Sequence, residues 1–211
     1  MAVRRNVLKV QTEFLVRLQD LEQFDRANQI AFTSGASHAL TKSQMTMLTE
    51  TIFFNAFREY ENFLNELFLL YCMGKKTSSG AKVRSFLRPK DTVHAAALVQ
   101  SSLSHLDWTS PGNVIARSET YLLNGFPIKD PLTTNLIALQ KYKKIRNHIA
   151  HGSAESLGEY KKVVKDYYGT MPLTTPPPGE YLMLTDQADS SKYLLLSCFE
   201  TFRQVSSAMI A

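Results

Sequence analysis

Residues 141–153, with the sequence KYKKIRNHIAHGS, hold the side chains best suited to acid–base and phosphate chemistry. Arg146 is followed directly by Asn147, and His151 comes five residues after the arginine, just before Gly152. A guanidinium group can bind a phosphate through two parallel hydrogen bonds. An imidazole can transfer protons near neutral pH. Together these groups suit a reaction at a phosphodiester.

The spacing of apolar residues predicts that this segment is an amphipathic helix that ends at Gly152. Arg146 falls within the apolar stripe of that helix, and an arginine there needs a carboxylate, a partner chain or a phosphate. The stripe consists of Ala138, Tyr142, Ile145 and Ile149.

The spacing of Arg146 and His151 raises a geometric difficulty. Residues i and i+5 are about 140° apart around a regular helix, so the two side chains do not converge within one chain. Either the helix distorts before Gly152, or a second copy completes the site across a two-fold axis. Asn147 lies on the same side as His151 and can orient the histidine or the phosphate.

The pattern R-N-x-x-x-H-G at a helix end resembles the motif of the HEPN superfamily. That motif is an arginine, usually followed by a polar residue, with a histidine four to six residues on. The resemblance implies an all-helical domain that dimerises through its 146–151 segments. It also implies that Arg146 and His151 of both protomers meet at a metal-independent endoribonuclease site. The alternative for the same residues is an arginine–glutamate core pair and a histidine that merely ends a helix.

Family members often place an acidic residue on an early helix, which makes Glu61 or Glu59 a candidate for orienting Arg146. Solvent-facing glutamates are the alternative for both. Ser153 follows the motif where some toxin members carry a tyrosine that a partner enzyme modifies, so this chain departs from that pattern. The arrangement of helices looks most like the HEPN group found with RNA-ligase-like and phosphatase-like partners in bacterial defence operons. An antitoxin or operon partner protein is therefore expected besides RNA.

The basic charge of the chain is concentrated around the motif. The net charge is +5, and residues 141–165 alone hold seven basic and two acidic side chains. Such a patch suits a polyanion, whereas a solvated lysine face is the alternative. The expected RNA contacts are Lys141, Tyr142, Lys143 and Lys144.

Length and composition favour one soluble, cytoplasmic domain. A chain of 211 residues with 44% hydrophobic residues can bury a sizeable core. The first residues lack the apolar region of a signal peptide, and the most apolar run is too short to span a bilayer. Cys72 and Cys198 have no metal or redox spacing and are expected to be buried free thiols. His148 and His151 lack a third ligand nearby, so neither a metal nor another cofactor is expected.

We predict an all-α, up-and-down bundle over residues 1–211, with four to five core helices and an insertion of short helices and loops at 74–130. Thr41 with Gln44 predicts a capping box, and Asp91 is expected to cap a short helix. Residues 171–180 are expected to form an extended linker, and 181–184 a short strand or extended segment. Thr185 or Asp186 is expected to cap the last helix. The predicted core helices are 3–32, 40–73, 131–151, 154–168 and 186–210.

Two other functions fit parts of the pattern. A non-catalytic helical interaction module would use Arg146 and His151 at a sealed dimer interface, whereas a catalytic pair must border an open cleft. A nucleotide- or RNA-binding module would use Arg146 and the lysines for phosphates, but the chain has no glycine-rich phosphate loop.

Overall fold

The computed structural model describes residues 5–34, 39–101 and 106–211. Within these ranges the regular structure consists of nine α-helices and one 3₁₀ turn, and no β-strand occurs. The predicted all-α class is therefore confirmed, and the helices are compatible with a bundle. None of the described helices combines the length and apolarity that crossing a bilayer demands.

The helices differ widely in length, from five to 31 residues. In chain order they are α1 Val7–Thr33, α2 Lys42–Cys72, α3 Thr92–Gln100, α4 Pro111–Tyr121, α5 Lys129–Thr134, α6 Leu136–His151, α7 Ala154–Tyr168, α8 Pro178–Leu182 and α9 Leu194–Ile210. The 3₁₀ turn lies between α4 and α5, at Leu123–Gly125.

The chain divides into two compact units. The first unit contains Met1–Val16, Glu59–Gln140 and Phe202–Ala211, and the second contains Arg17–Arg58 and Lys141–Thr201. The prediction of one domain over 1–211 stays a prediction.

Aromatic side chains form the core of the first unit. Phe14 stacks on Phe63 with ring centroids 4.9 Å apart, and Tyr60 stacks on Phe202 at 4.4 Å. All four side chains are almost completely buried. These stacked pairs join α1, α2 and α9 within the unit, where burial of apolar surface is the main stabilising contribution.

The second unit combines aromatic packing with buried hydrogen bonds. Phe53 of α2 meets the edge of the Tyr142 ring of α6, with centroids 6.4 Å apart. The hydroxyl of Tyr193 donates a hydrogen bond to the carboxylate of Asp25, which is fully buried. Burial raises the pKa of Asp25, and the tyrosine hydroxyl opposes this shift by stabilising the carboxylate.

Several predicted helix ends are confirmed. The Thr41 backbone N–H donates to Oε1 of Gln44, and the Gln44 N–H donates to Oγ1 of Thr41, which is the reciprocal bonding of a capping box. Asp91 caps α3 by accepting a hydrogen bond from the His94 backbone N–H. The helix predicted at 154–168 has those limits.

The helix predicted over 131–151 is wrong in its first part. The chain forms α5 and then α6, with a break at Asn135, whose ψ is 15°. The Asn135 side chain donates to the carbonyl of Pro131 at 2.9 Å. An asparagine side chain competes with the backbone for helical hydrogen bonds, which explains the break.

The final helix begins at Leu194, so the prediction that Thr185 or Asp186 caps it is wrong. Asp186 and Asp189 instead accept hydrogen bonds from the backbone N–H groups two residues on, as in Asx turns. An isolated antiparallel bridge between Thr185 and Tyr193 closes this loop.

The segment after α7 also differs from the prediction. Residues 171–177 form no regular structure, but Pro178–Leu182 form the short helix α8. The linker predicted at 171–180 and the short strand or extended segment predicted at 181–184 are therefore wrong where they overlap this helix. Proline is well tolerated in the first turn of a helix because its missing N–H has no helical partner there.

Candidate functional site

The α6 helix continues as an α-helix up to His151. The Gly152 N–H donates to the carbonyl of His148 at 3.0 Å, and Gly152 has a φ of +56°. Glycine adopts this left-handed conformation at low cost, which ends the helix. Ser153 then caps α7 by accepting a hydrogen bond from the Ser156 N–H. The motif therefore lies at the corner between α6 and α7.

Arg146 is half-buried, and its guanidinium carbon lies 5.3 Å from the centre of the Phe54 ring. This is a cation–π geometry, which favours arginine over lysine because the guanidinium is planar. Nη1 of Arg146 is 3.5 Å from Oδ1 of Asn147, at the outer limit of a hydrogen bond. Arg146 is thus oriented by neighbours within the second unit.

His151 is exposed at the end of α6. Because the helix remains regular to this residue, His151 lies about 140° around the axis from Arg146. Distortion of the helix, one of the two predicted ways to bring the pair together, is therefore excluded. The second predicted way, completion of the site by another copy of the chain, stays a prediction.

His148 lies in packing contacts that were not predicted from the sequence. Its ring stacks on Tyr160 with centroids 5.1 Å apart and planes 16° from parallel. Nδ1 is 3.3 Å from Oγ of Ser156. Burial lowers the pKa of His148, and the negative charge of Glu50 partly opposes that shift. His148 therefore joins α6 to α7, while His151 points to solvent.

Tyr142, one of the expected RNA contacts, packs against neighbouring side chains within the second unit. The Tyr142 hydroxyl is 3.2 Å from Oγ1 of Thr201, and its ring contacts Phe53. Desolvation is the largest of the causes that raise the Tyr142 pKa. Tyr142 therefore has a packing role in the second unit, and its contact with RNA stays a prediction.

The lysines near the motif differ in their surroundings. Lys144 forms a salt bridge of 3.2 Å with Glu159 of α7, and the same carboxylate also binds Lys162. Glu159 thus offsets part of the basic excess. Lys141 and Lys143 are half-buried on α6, and Lys161 and Lys165 are exposed on α7. Their contact with RNA stays a prediction.

Glu59 and Glu61 belong to the first unit, whereas Arg146 and His151 belong to the second. Both glutamates are half-buried. Their assignment as orienting acids for Arg146 stays a prediction.

Sequence reasoning missed the contacts that hold α7 and α8. The Tyr160 hydroxyl donates to the carbonyl of Pro176 at 2.9 Å, and the Gly179 N–H donates to Oε1 of Glu50 at 3.0 Å. The Tyr181 ring meets the edge of the Tyr160 ring, with centroids 6.0 Å apart. The run PPPG at 176–179 was the available signal, because a glycine after prolines can mark a close backbone approach.

Both cysteines are buried free thiols, as predicted. Within 5–34, 39–101 and 106–211, no group of three or more His, Cys, Asp or Glu side chains is arranged to hold a metal ion. Comparisons of the chain with protein-family models, with curated proteins and with solved structures give no match.

Proposed function

We propose that this protein is a metal-independent endoribonuclease of HEPN type, whose site is completed by a second copy of the chain. The observation that carries this function is the contrast within α6 between an anchored Arg146 and an exposed His151. Arg146 of one protomer would meet His151 of its partner, since a regular helix keeps the two apart within one chain.

RNA supplies its own nucleophile, the 2′-hydroxyl. That hydroxyl loses its proton to a base, its oxygen bonds to phosphorus, and the bond from phosphorus to the 5′-oxygen breaks. The departing oxygen then takes a proton, which leaves a 2′,3′-cyclic phosphate and a 5′-hydroxyl. His151 would act in proton transfer, and Arg146 would stabilise the negative charge on the phosphorus centre.

The neighbouring residues would support this reaction. Asn147 lies within 3.5 Å of the Arg146 guanidinium and would help to orient it or the phosphate. Lys143 and Lys144 would contribute to RNA affinity as cations. We further propose a role in bacterial defence, as a toxin paired with an antitoxin or operon partner, or in RNA processing, since the resemblance to the HEPN group implies such a setting.

The test is cleavage of a mixed pool of cellular RNA by purified protein with EDTA present. Arg146→Ala and His151→Ala should each lower the rate on the order of 10²-fold or more. Asn147→Ala should be milder. The products should carry 2′,3′-cyclic phosphate ends.

His94→Ala is the matched control, because it removes a histidine of the first unit that stands outside the motif. It should cut like the wild type. Full activity of His151→Ala on every RNA that the wild type cuts would overturn the site assignment and favour the interaction-module alternative.

A further inference from the structure

A second basic surface lies in the first unit, away from the motif in sequence. Residues 75–90 hold six basic side chains and no acidic one. This segment follows α2 and leads into α3. The basic side chains are Lys75, Lys76, Lys82, Arg84, Arg88 and Lys90.

Backbone hydrogen bonds hold the middle of this segment in place. The Phe86 N–H donates to the carbonyl of Tyr121, and the Leu123 N–H donates to the carbonyl of Arg84, both at 2.9 Å. Ser85 and Leu122 form an isolated antiparallel bridge. The segment is therefore anchored to the end of α4 by a strand-like pairing.

Exposure alternates along the segment, as it does in an extended strand. Lys82, Arg84, Phe86 and Arg88 are exposed, whereas the residues between them are buried or half-buried. Side chains two residues apart in an extended chain point to the same side and are separated by about 6.6 Å. The exposed side chains therefore form a row of three cations, Lys82, Arg84 and Arg88, with the Phe86 ring between the two arginines.

The row borders a cavity of about 660 Å³. The lining of the cavity also includes Cys72 and Met73, at and just after the end of α2, and Leu123. The Phe86 side chain lines the cavity and is 62% exposed, so its ring is accessible to a ligand. The side chains of Lys82, Arg84 and Arg88 make no hydrogen bond or salt bridge with any residue that the structure describes.

Positive side chains that alternate with an exposed ring match the chemistry of single-stranded nucleic acid. Guanidinium groups bind phosphates bidentately, and an aromatic ring stacks on an unpaired base without regard to its identity. A duplex would satisfy the cations but would present no free base to Phe86. An acidic peptide would likewise leave the ring without a stacking partner.

We infer that this cavity and the row Lys82–Arg84–Phe86–Arg88 bind single-stranded RNA, with phosphates on the arginines and one base on Phe86. This inference rests on the proposed function for the identity of its ligand. It adds a binding site in the first unit that would hold the substrate strand independently of Arg146 and His151.

The test is fluorescence anisotropy with a labelled 2′-O-methyl oligonucleotide of about 12 nucleotides, the length that single-strand binding surfaces commonly cover. Because this probe lacks the attacking hydroxyl, its binding is measured without cleavage. Arg84→Ala and Arg88→Ala should each reduce the slope of log affinity against log salt by about 0.7. Arg17→Ala, which removes an exposed arginine of the second unit, should leave the slope unchanged.

The aromatic part is tested with Phe86→Ala and Phe86→Tyr. The alanine variant should lose roughly tenfold in affinity for the single strand, because one stacking contact is removed, and the tyrosine variant should keep it. Neither change should alter binding of heparin, which has charge but no base. Circular dichroism melting of each variant checks that the first unit is folded.

Several results would overturn the inference. One is wild-type affinity and salt dependence in the Arg84→Ala/Arg88→Ala double variant. Another is a polyglutamate peptide that competes as well as the oligonucleotide, or a duplex that binds as tightly as the single strand. If the wild type binds the oligonucleotide through this row but cuts no RNA, the proposed endoribonuclease fails while the binding site stands.

Discussion

Replacing Gly179 with alanine tests the packing of α8. This short helix contacts Tyr160 through Tyr181, and Tyr160 stacks on His148 of the motif helix. A Cβ atom at this position would lie 2.1 Å from the carbonyl oxygen of Thr46 and 2.8 Å from its carbonyl carbon. Both are backbone atoms of α2, so no side-chain rotation can relieve the overlap. The chain around Gly179 must move away from Thr46, which weakens the hydrogen bond from the Gly179 N–H to Glu50.

The size of the effect follows from two contributions. Overpacking a buried position costs about 1–3 kcal/mol, and a weakened hydrogen bond adds roughly 0.5–1.5 kcal/mol. For a chain of this size, each kcal/mol lowers the melting temperature by about 2–4 °C. The two contributions add to roughly 1.5–4.5 kcal/mol. We therefore expect Gly179→Ala to melt roughly 3–18 °C below the wild type, measured by circular dichroism.

Gly158→Ala is the matched control. Gly158 lies inside α7, and a Cβ atom there would meet nothing within 4 Å. Alanine is the better helix former, so this variant should be more stable by about 0.5–1 kcal/mol. If Gly179→Ala melts at or above the wild-type temperature, Gly179 does not lie as close to the Thr46 backbone as described.

Three further predictions concern single residues. Because burial lowers the pKa of His148, protonating it in the folded state is unfavourable, and its stabilising contribution is present above the unfolded pKa and lost as the pH falls. His148→Phe should keep the stacking on Tyr160 and lose less melting temperature than the wild type between about pH 7.5 and pH 5.5; an equal loss in both proteins would contradict the role of His148. Burial raises the pKa of Cys72 to about 12 and that of Cys198 well above its ordinary value. A disulfide reagent should therefore modify the folded protein at least ~10²-fold more slowly than the unfolded chain, and rapid modification of the native protein would refute the burial of these thiols. Arg146→Lys should cleave RNA as poorly as Arg146→Ala, since an ammonium group cannot reproduce the planar fork over Phe54, and recovery of most activity by lysine would contradict bidentate binding.

Long helices with regular apolar spacing were predictable from the sequence. The helix predicted at 40–73 is α2, and its start was readable because Thr41 and Gln44 are residues whose side chains bond reciprocally to the backbone. Local chemistry determines such an end, so no knowledge of distant contacts is needed.

The errors arose where polar residues serve turns. Aspartate is a residue type that often begins a helix, but the side chains of Asp186 and Asp189 accept hydrogen bonds within two turns instead. The bridge between Thr185 and Tyr193 keeps this segment out of the last helix. Both uses of an aspartate satisfy a backbone N–H. Choosing between them requires the long-range pairing, which the local sequence does not contain.

For the candidate site, the helix that contains the motif and its end at Gly152 could be predicted from the sequence. The contacts that surround the motif residues could not. The cation–π contact of Arg146 with Phe54 joins residues that lie far apart in sequence. The burial of the Tyr142 ring against Phe53 likewise depends on two helices. The basic row at 82–88 was not predicted because acidic residues elsewhere in the chain offset its positive charge in the net charge.

The composite site is tested most directly by mixing two inactive variants. Arg146→Ala and His151→Ala proteins are purified separately, exchanged into mixed dimers, and assayed for RNA cleavage with EDTA present. If Arg146 of one protomer acts with His151 of its partner, a mixed dimer contains one intact pair of residues, and random exchange should restore about a quarter of wild-type activity. No recovery in samples where light scattering and differential tagging demonstrate mixed dimers would contradict the shared site.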